Sequence, residues 1–232
     1  MTTLAGTLSF VTGASRGIGG AVAQALVGQG ATVVRVARSL SPGAHGRFRD
    51  FACDLTDTDA VAQLAGQIID TLGVPDLVVN AAGSFTLVPF DAATTDQLRR
   101  ELELNLVAPF AVARGFLPSM KARGSGMLVN IGSIADHSAF PDNTIYSAAK
   151  YGLRGLHETL RAEYRGSGVR CTLVSPGATD TSIWDPIDPD SRAGFTPRNA
   201  MLRPEDVADA VIFAATRPAH VELDWIRLGP AR

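Results

Sequence analysis

Short apolar runs alternate with segments of helical periodicity along most of the chain. The apolar runs predict strands at residues 8–12, 32–37, 49–53, 77–80, 127–131, 170–175 and 221–228. The intervening patterns predict helices at residues 17–29, 58–72, 95–123, 145–167 and 204–216. Because strands that are apolar almost throughout are covered on both faces, the alternation predicts an α/β fold. We expect a doubly wound parallel sheet of about seven strands, with helices on both faces.

Individual residues refine the ends of three of these helices. Asp57 is the predicted N-cap of the helix at residues 58–72, and Pro204 suits the first turn of the last helix. Pro109 lies inside the long helix predicted at residues 95–123, so we expect a kink or a break there.

Two segments interrupt the alternation. Residues 39–46 are too short and too rich in proline and glycine for a crossover helix, so we expect a loop or a single turn. Residues 179–203 are polar and follow the carboxyl end of a strand, where ligands bind in such sheets. We interpret this segment as a substrate lid, and the alternative is a connection without a function. Arg35 lies within a strand that we expect to be buried, and the pattern offers no reason for a charge there.

Composition limits the possible partners. The 232 residues include 21 Lys and Arg and 23 Asp and Glu, which gives a net charge of −2. We expect one domain over residues 1–232, and neither nucleic acid nor a membrane as partner, because no basic run is present. No signal-peptide pattern opens the chain, and no apolar run approaches the ~20 residues that span a bilayer. These features favour a cytoplasmic protein.

Cysteines and acidic residues do not form a recognisable metal site. Cys53 and Cys171 fall in apolar runs without a C-x-x-C spacing, so we expect buried, reduced thiols. The aspartates between residues 180 and 190 lack a metal-ligand spacing, and we interpret them as the solvated surface of the lid.

A glycine-rich turn joins the first strand to the first helix. Gly13, Gly17 and Gly19 follow the spacing Gly-x-x-x-Gly-x-Gly. Glycines at this place allow a tight turn and let a pyrophosphate approach the backbone N–H groups of a helix N-terminus. The turn therefore predicts a dinucleotide site.

The end of the second strand indicates which dinucleotide binds. An NAD site usually has an acid there for the ribose hydroxyls, but Ala37 occupies that place and Arg38 follows. A guanidinium binds a 2′-phosphate bidentately, and Arg16 can add a second positive charge. We therefore predict NADP(H) over NAD(H), and the alternative is that Arg38 is a solvated loop residue.

Tyr146 and Lys150 lie one turn apart on a predicted helix. An ammonium close to a phenol favours the ionised phenol, so we expect Lys150 to lower the pKa of Tyr146 toward the neutral range. Tyr146 is then a candidate proton donor or acceptor. The alternative is an ordinary solvated helix surface, on which this spacing is common.

Together the motifs resemble the short-chain dehydrogenase/reductase family. The matching segments span about the whole chain: Thr12-Gly13-Ala14-Ser15-Arg16-Gly17-Ile18-Gly19, Cys53-Asp54-Leu55-Thr56-Asp57, Asn80-Ala81-Ala82-Gly83, Asn105, Ser133, Tyr146-Ser147-Ala148-Ala149-Lys150 and Pro176-Gly177. The resemblance implies a single-domain Rossmann-type fold and hydride transfer between a nicotinamide cofactor and a carbonyl or alcohol carbon. A tail without the family's glycine pair and a brief lid together resemble its smaller carbonyl reductases, and the crossover after the second strand is shorter than is usual in the family.

The resemblance also implies four catalytic residues. Tyr146 would be the general acid in reduction and the base in oxidation, and Lys150 would lower its pKa and bind the nicotinamide ribose. Ser133 would orient the substrate carbonyl, and Asn105 would hold a water of the proton relay. The cofactor-binding residues would be Gly13, Ser15, Arg16, Gly17, Ile18, Gly19, Arg38, Asp54, Leu55, Asn80, Ala81, Ala82, Gly83, Tyr146, Lys150, Pro176, Gly177, Thr179 and Thr181.

Apolar residues of the sequence and the family resemblance indicate a substrate class and an assembly. Candidate pocket walls are Phe85, Asp136, His137, Phe140, Ile183, Trp184 and Phe195. Their apolar majority favours an uncharged ketone or aldehyde. Pairing of the helices at residues 95–123 and 145–167 in the family implies a homodimer or homotetramer. The alternatives are an NAD-dependent alcohol dehydrogenase and a dinucleotide-binding sensor without catalysis.

Overall fold

The computed structural model describes residues 3–231, and the strands of this part of the chain form one eight-stranded sheet. The strands are β1 (Leu8–Thr12), β2 (Thr32–Val36), β3 (Gly43–His45), β4 (Phe48–Phe51), β5 (Leu77–Asn80), β6 (Gly126–Ile131), β7 (Val169–Pro176) and β8 (Trp225–Leu228). Their order in the sheet is β3-β4-β2-β1-β5-β6-β7-β8. Every neighbouring pair is parallel except β3 and β4. The predicted α/β fold with a doubly wound, mostly parallel sheet is confirmed.

Six α-helices cover the two faces of this sheet. They are α1 (Gly17–Gly28), α2 (Thr58–Leu72), α3 (Thr95–Leu102), α4 (Ala108–Arg123), α5 (Thr144–Glu163) and α6 (Pro204–Ala215). Because side chains alternate along a strand, successive residues of each central strand enter different cores. Val11 of β1 packs in a core with α1 and α6, whereas Phe10 packs in a core with α2 and α4. Burial on both faces explains why the central strands are apolar almost throughout.

The connections reverse direction beside β1, and this reversal positions the site. The chain passes from β1 outward to β2 and β4, and then returns to β5 on the other side of β1. Ligands bind at such a switch point, beyond the carboxyl ends of the strands. The Thr12 hydroxyl accepts hydrogen bonds from the backbone N–H groups of Ala81 (3.0 Å) and Ala82 (3.1 Å), so it ties the end of β1 to the chain after β5.

The prediction of a loop or single turn at residues 39–46 is wrong. Strand β3 lies in this segment and forms an antiparallel hairpin with β4, in which His45 pairs with Phe48. Gly46 adopts a φ of 61°, which the two-residue hairpin turn requires. All three residues of β3 are exposed, so the strand carries no apolar alternation that could have revealed it.

The long helix predicted at residues 95–123 is interrupted, although not at Pro109 itself. A π-helical turn over Glu103–Val107 separates α3 from α4, and Pro109 follows in the first turn of α4. Proline has no backbone N–H and cannot continue the ladder of the preceding helix. Asn105 lies within the π turn, a local geometry that is frequent at functional sites.

Arg35 has a partner on the neighbouring strand. The register of β2 and β4 sets Arg35 opposite Asp50, and the two side chains form a bidentate ion pair of 2.7 and 2.5 Å. The guanidinium also stacks 4.1 Å from the ring centroid of Phe48. A paired and stacked guanidinium can lie within a covered strand, whereas an isolated charge could not.

Several smaller predictions are settled by the structure. Asp57 caps α2 by accepting hydrogen bonds from two backbone N–H groups, and Pro204 begins α6, as expected. Cys53 and Cys171 are buried and free. The last strand is shorter than predicted, because β8 begins only at Trp225. Among residues 3–231, none of the helices is long and apolar enough to cross a membrane.

Candidate active site

A cavity of about 1340 Å³ lies beyond the carboxyl ends of the parallel strands. The glycine turn after β1 and the segments after β2, β4, β5, β6 and β7 all contribute to its wall. The parallel arrangement brings these segments together, because all of these strands end at the same edge of the sheet.

The glycine turn is built by close backbone contacts. Gly13 has a φ of 65°, and a Cβ atom there would lie 2.8 Å from Cα of Ala82. A Cβ atom on Gly19 would lie 2.5 Å from the carbonyl oxygen of Gly13. Neither glycine tolerates a side chain, so α1 packs directly against the turn that precedes it. Helix α1 has no side-chain cap, and the residues of its first turn line the cavity. Its first N–H groups are therefore potential anion ligands.

Two arginines line the end of the cavity that is nearest to β2. Arg16 and Arg38 both line the cavity and are exposed. Ala37 directly follows β2, so the position where an acid would bind the ribose hydroxyls carries no carboxylate. Asp54 lines the same end and accepts hydrogen bonds from the backbone and the hydroxyl of Thr56, which hold the pKa of this carboxyl below its usual value.

The four residues expected to be catalytic line one part of the cavity. Asn105 comes from the π turn, Ser133 follows β6, and Tyr146 and Lys150 lie one turn apart on α5. The Lys150 ammonium donates a hydrogen bond of 3.1 Å to the carbonyl of Ile131 and lies 5.6 Å from the ring centroid of Tyr146. The side-chain amide oxygen of Asn105 is buried without a hydrogen-bond partner.

Ser133 is held by a short capping structure. Its hydroxyl accepts a hydrogen bond from the N–H of Ala135 (3.1 Å), while its own N–H donates to Asp136 Oδ2 (3.0 Å). These contacts use one lone pair of the Ser133 hydroxyl and leave its proton available to a substrate or to Tyr146.

The expectation that Lys150 lowers the pKa of Tyr146 is wrong in this structure. Burial of the phenol raises the pKa of Tyr146 above its ordinary value, and a hydrogen bond with Ser133 only partly opposes this effect. Burial also lowers the pKa of Lys150 to about 8, so the lysine loses its charge before the phenol can ionise. The cation that was expected to stabilise the phenolate is therefore absent in the pH range where the phenol titrates.

The sequence profile described as short chain dehydrogenase matches residues 8–192. The chain belongs to the short-chain dehydrogenase family. An uncharacterized oxidoreductase of Staphylococcus aureus (strain MRSA252) is 32% identical over 237 residues, covering 99% of this chain and 100% of that protein. A solved structure of a metagenomic short-chain oxidoreductase in complex with NADP is 30% identical, with a TM-score of 0.81 and 100% of both chains covered. The closed form of serine dehydrogenase complexed with NADP+ is 25% identical, with a TM-score of 0.87, covering 96% of this chain and 94% of that one.

Most residues expected to bind the cofactor in this short-chain dehydrogenase line the cavity, but Asn80 does not. Asn80 is buried below the cavity, where its amide donates hydrogen bonds to Asn130 Oδ1 (2.9 Å) and to the carbonyl of Pro109 (3.3 Å). It therefore supports the edge of the sheet instead of forming the wall. The expected residues that do line the cavity are Gly13, Ser15, Arg16, Gly17, Ile18, Gly19, Arg38, Asp54, Leu55, Ala81, Ala82, Gly83, Tyr146, Lys150, Pro176, Gly177, Thr179 and Thr181.

Aromatic rings extend from Tyr146 into the segment 179–203. The ring of Phe85 lies 4.8 Å from that of Tyr146 and 5.2 Å from that of Trp184, measured between centroids. Phe195 continues the series at 6.3 Å from Trp184. Each contact is edge-to-face, the arrangement that aromatic quadrupoles favour. One wall of the cavity is therefore aromatic.

Asp136 and His137 were expected among the pocket walls, and this prediction is wrong. Asp136 is fully buried, with Oδ2 accepting a hydrogen bond from Ser175 Oγ (2.6 Å) and Oδ1 lying 2.6 Å from His137 Nδ1. The His137 ring packs edge-to-face on Trp225, outside the cavity. The pair therefore supports the Ser133 turn from below.

The aspartates of the segment 179–203 are not merely solvated. Arg198 binds Asp180 Oδ1 (2.8 Å) and Asp185 Oδ1 (2.6 Å), and its backbone N–H donates to Asp190 Oδ1 (2.8 Å). This cluster ties three turns of the segment together. The sequence interpretation missed Arg198 because its partners are up to 18 residues away.

Proposed function

We propose that the protein is an NADP(H)-dependent oxidoreductase that transfers a hydride between the nicotinamide and a carbonyl or alcohol carbon. The observation that carries this proposal is the position of Ser133, Tyr146 and Lys150 in the same cavity as the glycine turn of α1. A proton-transfer group and a dinucleotide site within one cavity meet the requirements of nicotinamide-dependent carbonyl chemistry.

The residues present fit a dinucleotide at both ends of the cavity. The uncapped N-terminus of α1 and the side-chain-free backbone at Gly13 leave room for a pyrophosphate. Lys150 lies at the other end, where its ammonium can reach a ribose hydroxyl. When bound, the nicotinamide supplies the hydride, and the protein supplies position and a proton.

The roles proposed for the side chains follow from their donors and acceptors. Ser133 donates its hydroxyl proton to the substrate carbonyl and orients it. Tyr146 donates its proton to the same oxygen during reduction and accepts one during oxidation. A phenol whose pKa is raised by burial stays protonated at neutral pH, so this arrangement supports reduction of a carbonyl.

NADP(H) is proposed over NAD(H) because of the charges near the end of β2. Arg16 and Arg38 are exposed at the cavity and can bind a 2′-phosphate, and Ala37 leaves no acid for the ribose hydroxyls. Complexes with NADP and NADP+ among the similar solved structures support the same choice.

An uncharged, largely apolar ketone or aldehyde is the proposed substrate. The aromatic wall formed by Phe85, Trp184 and Phe195 favours an apolar group next to the reacting carbon. We also propose that residues 179–203 act as the substrate lid, because Thr181 lies close to the glycine turn: a Cβ atom on Gly17 would lie 3.3 Å from Thr181 Cγ2.

We further infer a cytoplasmic homodimer or homotetramer, in which α4 and α5 form the contact. Phe110 on α4 and Tyr151 on α5 are large side chains that are 48% and 46% exposed. Burial of such side chains is a usual source of subunit association. Buried, free cysteines are typical of a reducing compartment.

Turnover with both cofactors over a panel of aldehydes, ketones and dicarbonyls tests the reaction. We expect NADPH-dependent reduction, and we expect Tyr146→Phe to abolish it while NADPH still binds. Reduction at the wild-type rate by Tyr146→Phe would refute the proposed acid. Tight NADPH binding by the wild type without turnover of any carbonyl would instead favour a dinucleotide sensor.

Arg38→Asp tests the choice of cofactor. We expect kcat/KM with NADPH to fall about 10- to 100-fold, as for loss of a hydrogen bond to a charged group, while kcat/KM with NADH changes little or rises. Arg165→Asp is the matched control, because Arg165 is also exposed but lies outside the cavity. A wild type that prefers NADH, or an unchanged preference in Arg38→Asp, contradicts the assignment and favours the NAD-dependent alternative.

A further inference from the structure

Glu101 is a buried carboxylate that the proposed reaction does not use. It lies on α3, one turn before Asn105, and is only 2% exposed. Its Oε2 accepts a hydrogen bond from Thr86 Oγ1 (2.7 Å), and its Oε1 accepts one from Asn105 Nδ2 (2.9 Å). Glu101 does not line the cavity, so it does not contact a molecule bound there. A glutamate is rarely buried to this extent unless its charge is satisfied by specific partners.

The contacts of the Asn105 amide determine the direction in which its oxygen points. Nδ2 lies near the carbonyl and hydroxyl of Ser84 (3.2 and 3.3 Å) and near two acceptors of Glu101, the closest of which is the carboxylate. A carboxylate accepts hydrogen bonds and does not donate them, so the amide nitrogen must face Glu101. The amide oxygen is then directed away from Glu101.

The Asn105 oxygen faces a gap beside Lys150. Oδ1 has no protein partner and is buried. A Cβ atom on Gly83 would lie 2.7 Å from this oxygen and 3.9 Å from Lys150 Nζ, so the missing side chain of Gly83 leaves space between the two groups. A donor in this gap would meet a fixed acceptor.

We propose that Glu101 is a positioning residue, whose carboxylate fixes the Asn105 amide so that its oxygen is presented to the space beside Lys150. This inference rests on the proposed function, because it assigns a purpose to the orientation of Asn105 in proton transfer. Asn105 contacts the cavity directly, whereas Glu101 acts through it.

The charge of Glu101 has a second, measurable consequence at Lys150. Burial lowers the pKa of Lys150 to about 8, and the carboxylates of Asp136, on the turn after β6, and Glu101, on α3, both oppose this fall. The neighbouring titratable group on α5 itself is Tyr146, whose pKa the same two carboxylates raise. Removal of the Glu101 charge should therefore move the titration of Lys150 to lower pH.

Glu101→Gln is the variant that tests the inference, and Glu103→Gln is its matched control. The two glutamates are two residues apart, but Glu103 is exposed and Glu101 is buried. Lysine carrying ¹³C at Cε gives two side-chain signals, because Lys121 and Lys150 are the only lysines of the chain. Exposed Lys121 serves as the internal reference, and the titration needs neither cofactor nor substrate.

We expect the Lys150 midpoint to fall in Glu101→Gln and to stay unchanged in Glu103→Gln. In turnover assays we expect kcat of Glu101→Gln to fall on the order of 10-fold, with KM little changed, as for loss of one hydrogen bond to a charged group. A folded Glu101→Gln protein with the wild-type Lys150 midpoint and the wild-type kcat overturns the inference.

A further variant covers the case in which Glu101→Gln does not fold. Glu101→Asp keeps the charge but shortens the side chain, so it cannot hold Thr86 and Asn105 together. We expect its kcat to fall while the Lys150 midpoint moves less than in Glu101→Gln, and an unchanged kcat counts against the inference. If the wild type itself reduces no carbonyl, the proposed function fails, whereas the Lys150 titration still reports whether Glu101 acts on this site.

Discussion

Replacement of Lys150 by methionine should stabilise the fold at neutral pH, because burial of this ammonium in the candidate active site lowers the stability of the folded chain. Lys150 is 5% exposed, and burial lowers its pKa from 10.5 to about 8. Below pH 8 the side chain is charged both in the folded and in the unfolded chain, and only the folded chain carries the desolvation penalty. Lys150→Met keeps the length of the stem and removes the charge.

The size of the effect follows from the difference between the two pKa values. A fall from 10.5 to about 8 corresponds to roughly 3 kcal/mol, at about 1.4 kcal/mol for each pH unit. Loss of the hydrogen bond from Lys150 to the carbonyl of Ile131 offsets about 1 kcal/mol of this gain. At pH 7 we therefore expect the free energy of unfolding of Lys150→Met to exceed that of the wild type by about 2 kcal/mol.

The sign of the pH dependence makes the prediction specific. Between pH 8 and pH 10.5 the unfolded chain binds more protons at this residue than the folded chain, so the wild type gains stability as pH rises. The advantage of Lys150→Met should shrink through this window and disappear near its upper end. Urea unfolding of both proteins at a series of pH values measures the difference, and Lys121→Met is the exposed control. A variant that is less stable than the wild type at pH 7, or a difference that does not change with pH, refutes the reasoning.

Three further predictions concern the fold and the pocket. Asp50→Asn leaves the Arg35 charge without its partner and should lower the free energy of unfolding by about 3 kcal/mol in urea titrations. Gly19→Ala places a Cβ atom 2.5 Å from the carbonyl oxygen of Gly13, so we expect calorimetry to detect no NADPH binding even if the variant folds. Trp184→Ala should raise KM for aryl ketones about 10-fold or more and leave KM for small aldehydes nearly unchanged; equal effects on both would contradict the aromatic wall.

The order of strands and helices could be predicted because burial on both faces leaves a clear pattern in the sequence. Central strands such as β5 are buried throughout and apolar up to their last residue, Asn80, and the helices between them keep one apolar face. Strand β3 could not be found in this way, because it is short and exposed and therefore has no apolar pattern. The π turn at Glu103–Val107 was also hidden, since one added residue in a helical ladder barely changes the periodicity.

The residues of the candidate site that belong to short sequence motifs could be predicted, whereas those that are distant in sequence and meet only in the fold could not. Tyr146, Lys150 and the glycine turn form short motifs, and the structure brings them to one cavity. Asp136 and Glu101 come close to Tyr146 and Lys150 only because the chain folds in three dimensions. The spacing of Glu101 and Asn105, four residues apart on one helix face, was the one sequence signal that could have indicated the contact. The direction of the Tyr146 pKa was mispredicted for the same reason, because a sequence gives neighbours and does not give burial.

The buried carboxylates of Asp136 and Glu101 explain how the buried side chain of Lys150 can keep its positive charge at neutral pH. Burial alone favours the neutral amine, and the charges of Asp136 and Glu101 counteract it, so that the pKa of Lys150 stays at about 8. Without them the pKa would fall further and the ammonium would be lost nearer to neutral pH. Both carboxylates also raise the pKa of Tyr146, which keeps the phenol protonated. The same pair of charges thus favours a protonated tyrosine beside a charged lysine, the state that the proposed reduction of a carbonyl requires.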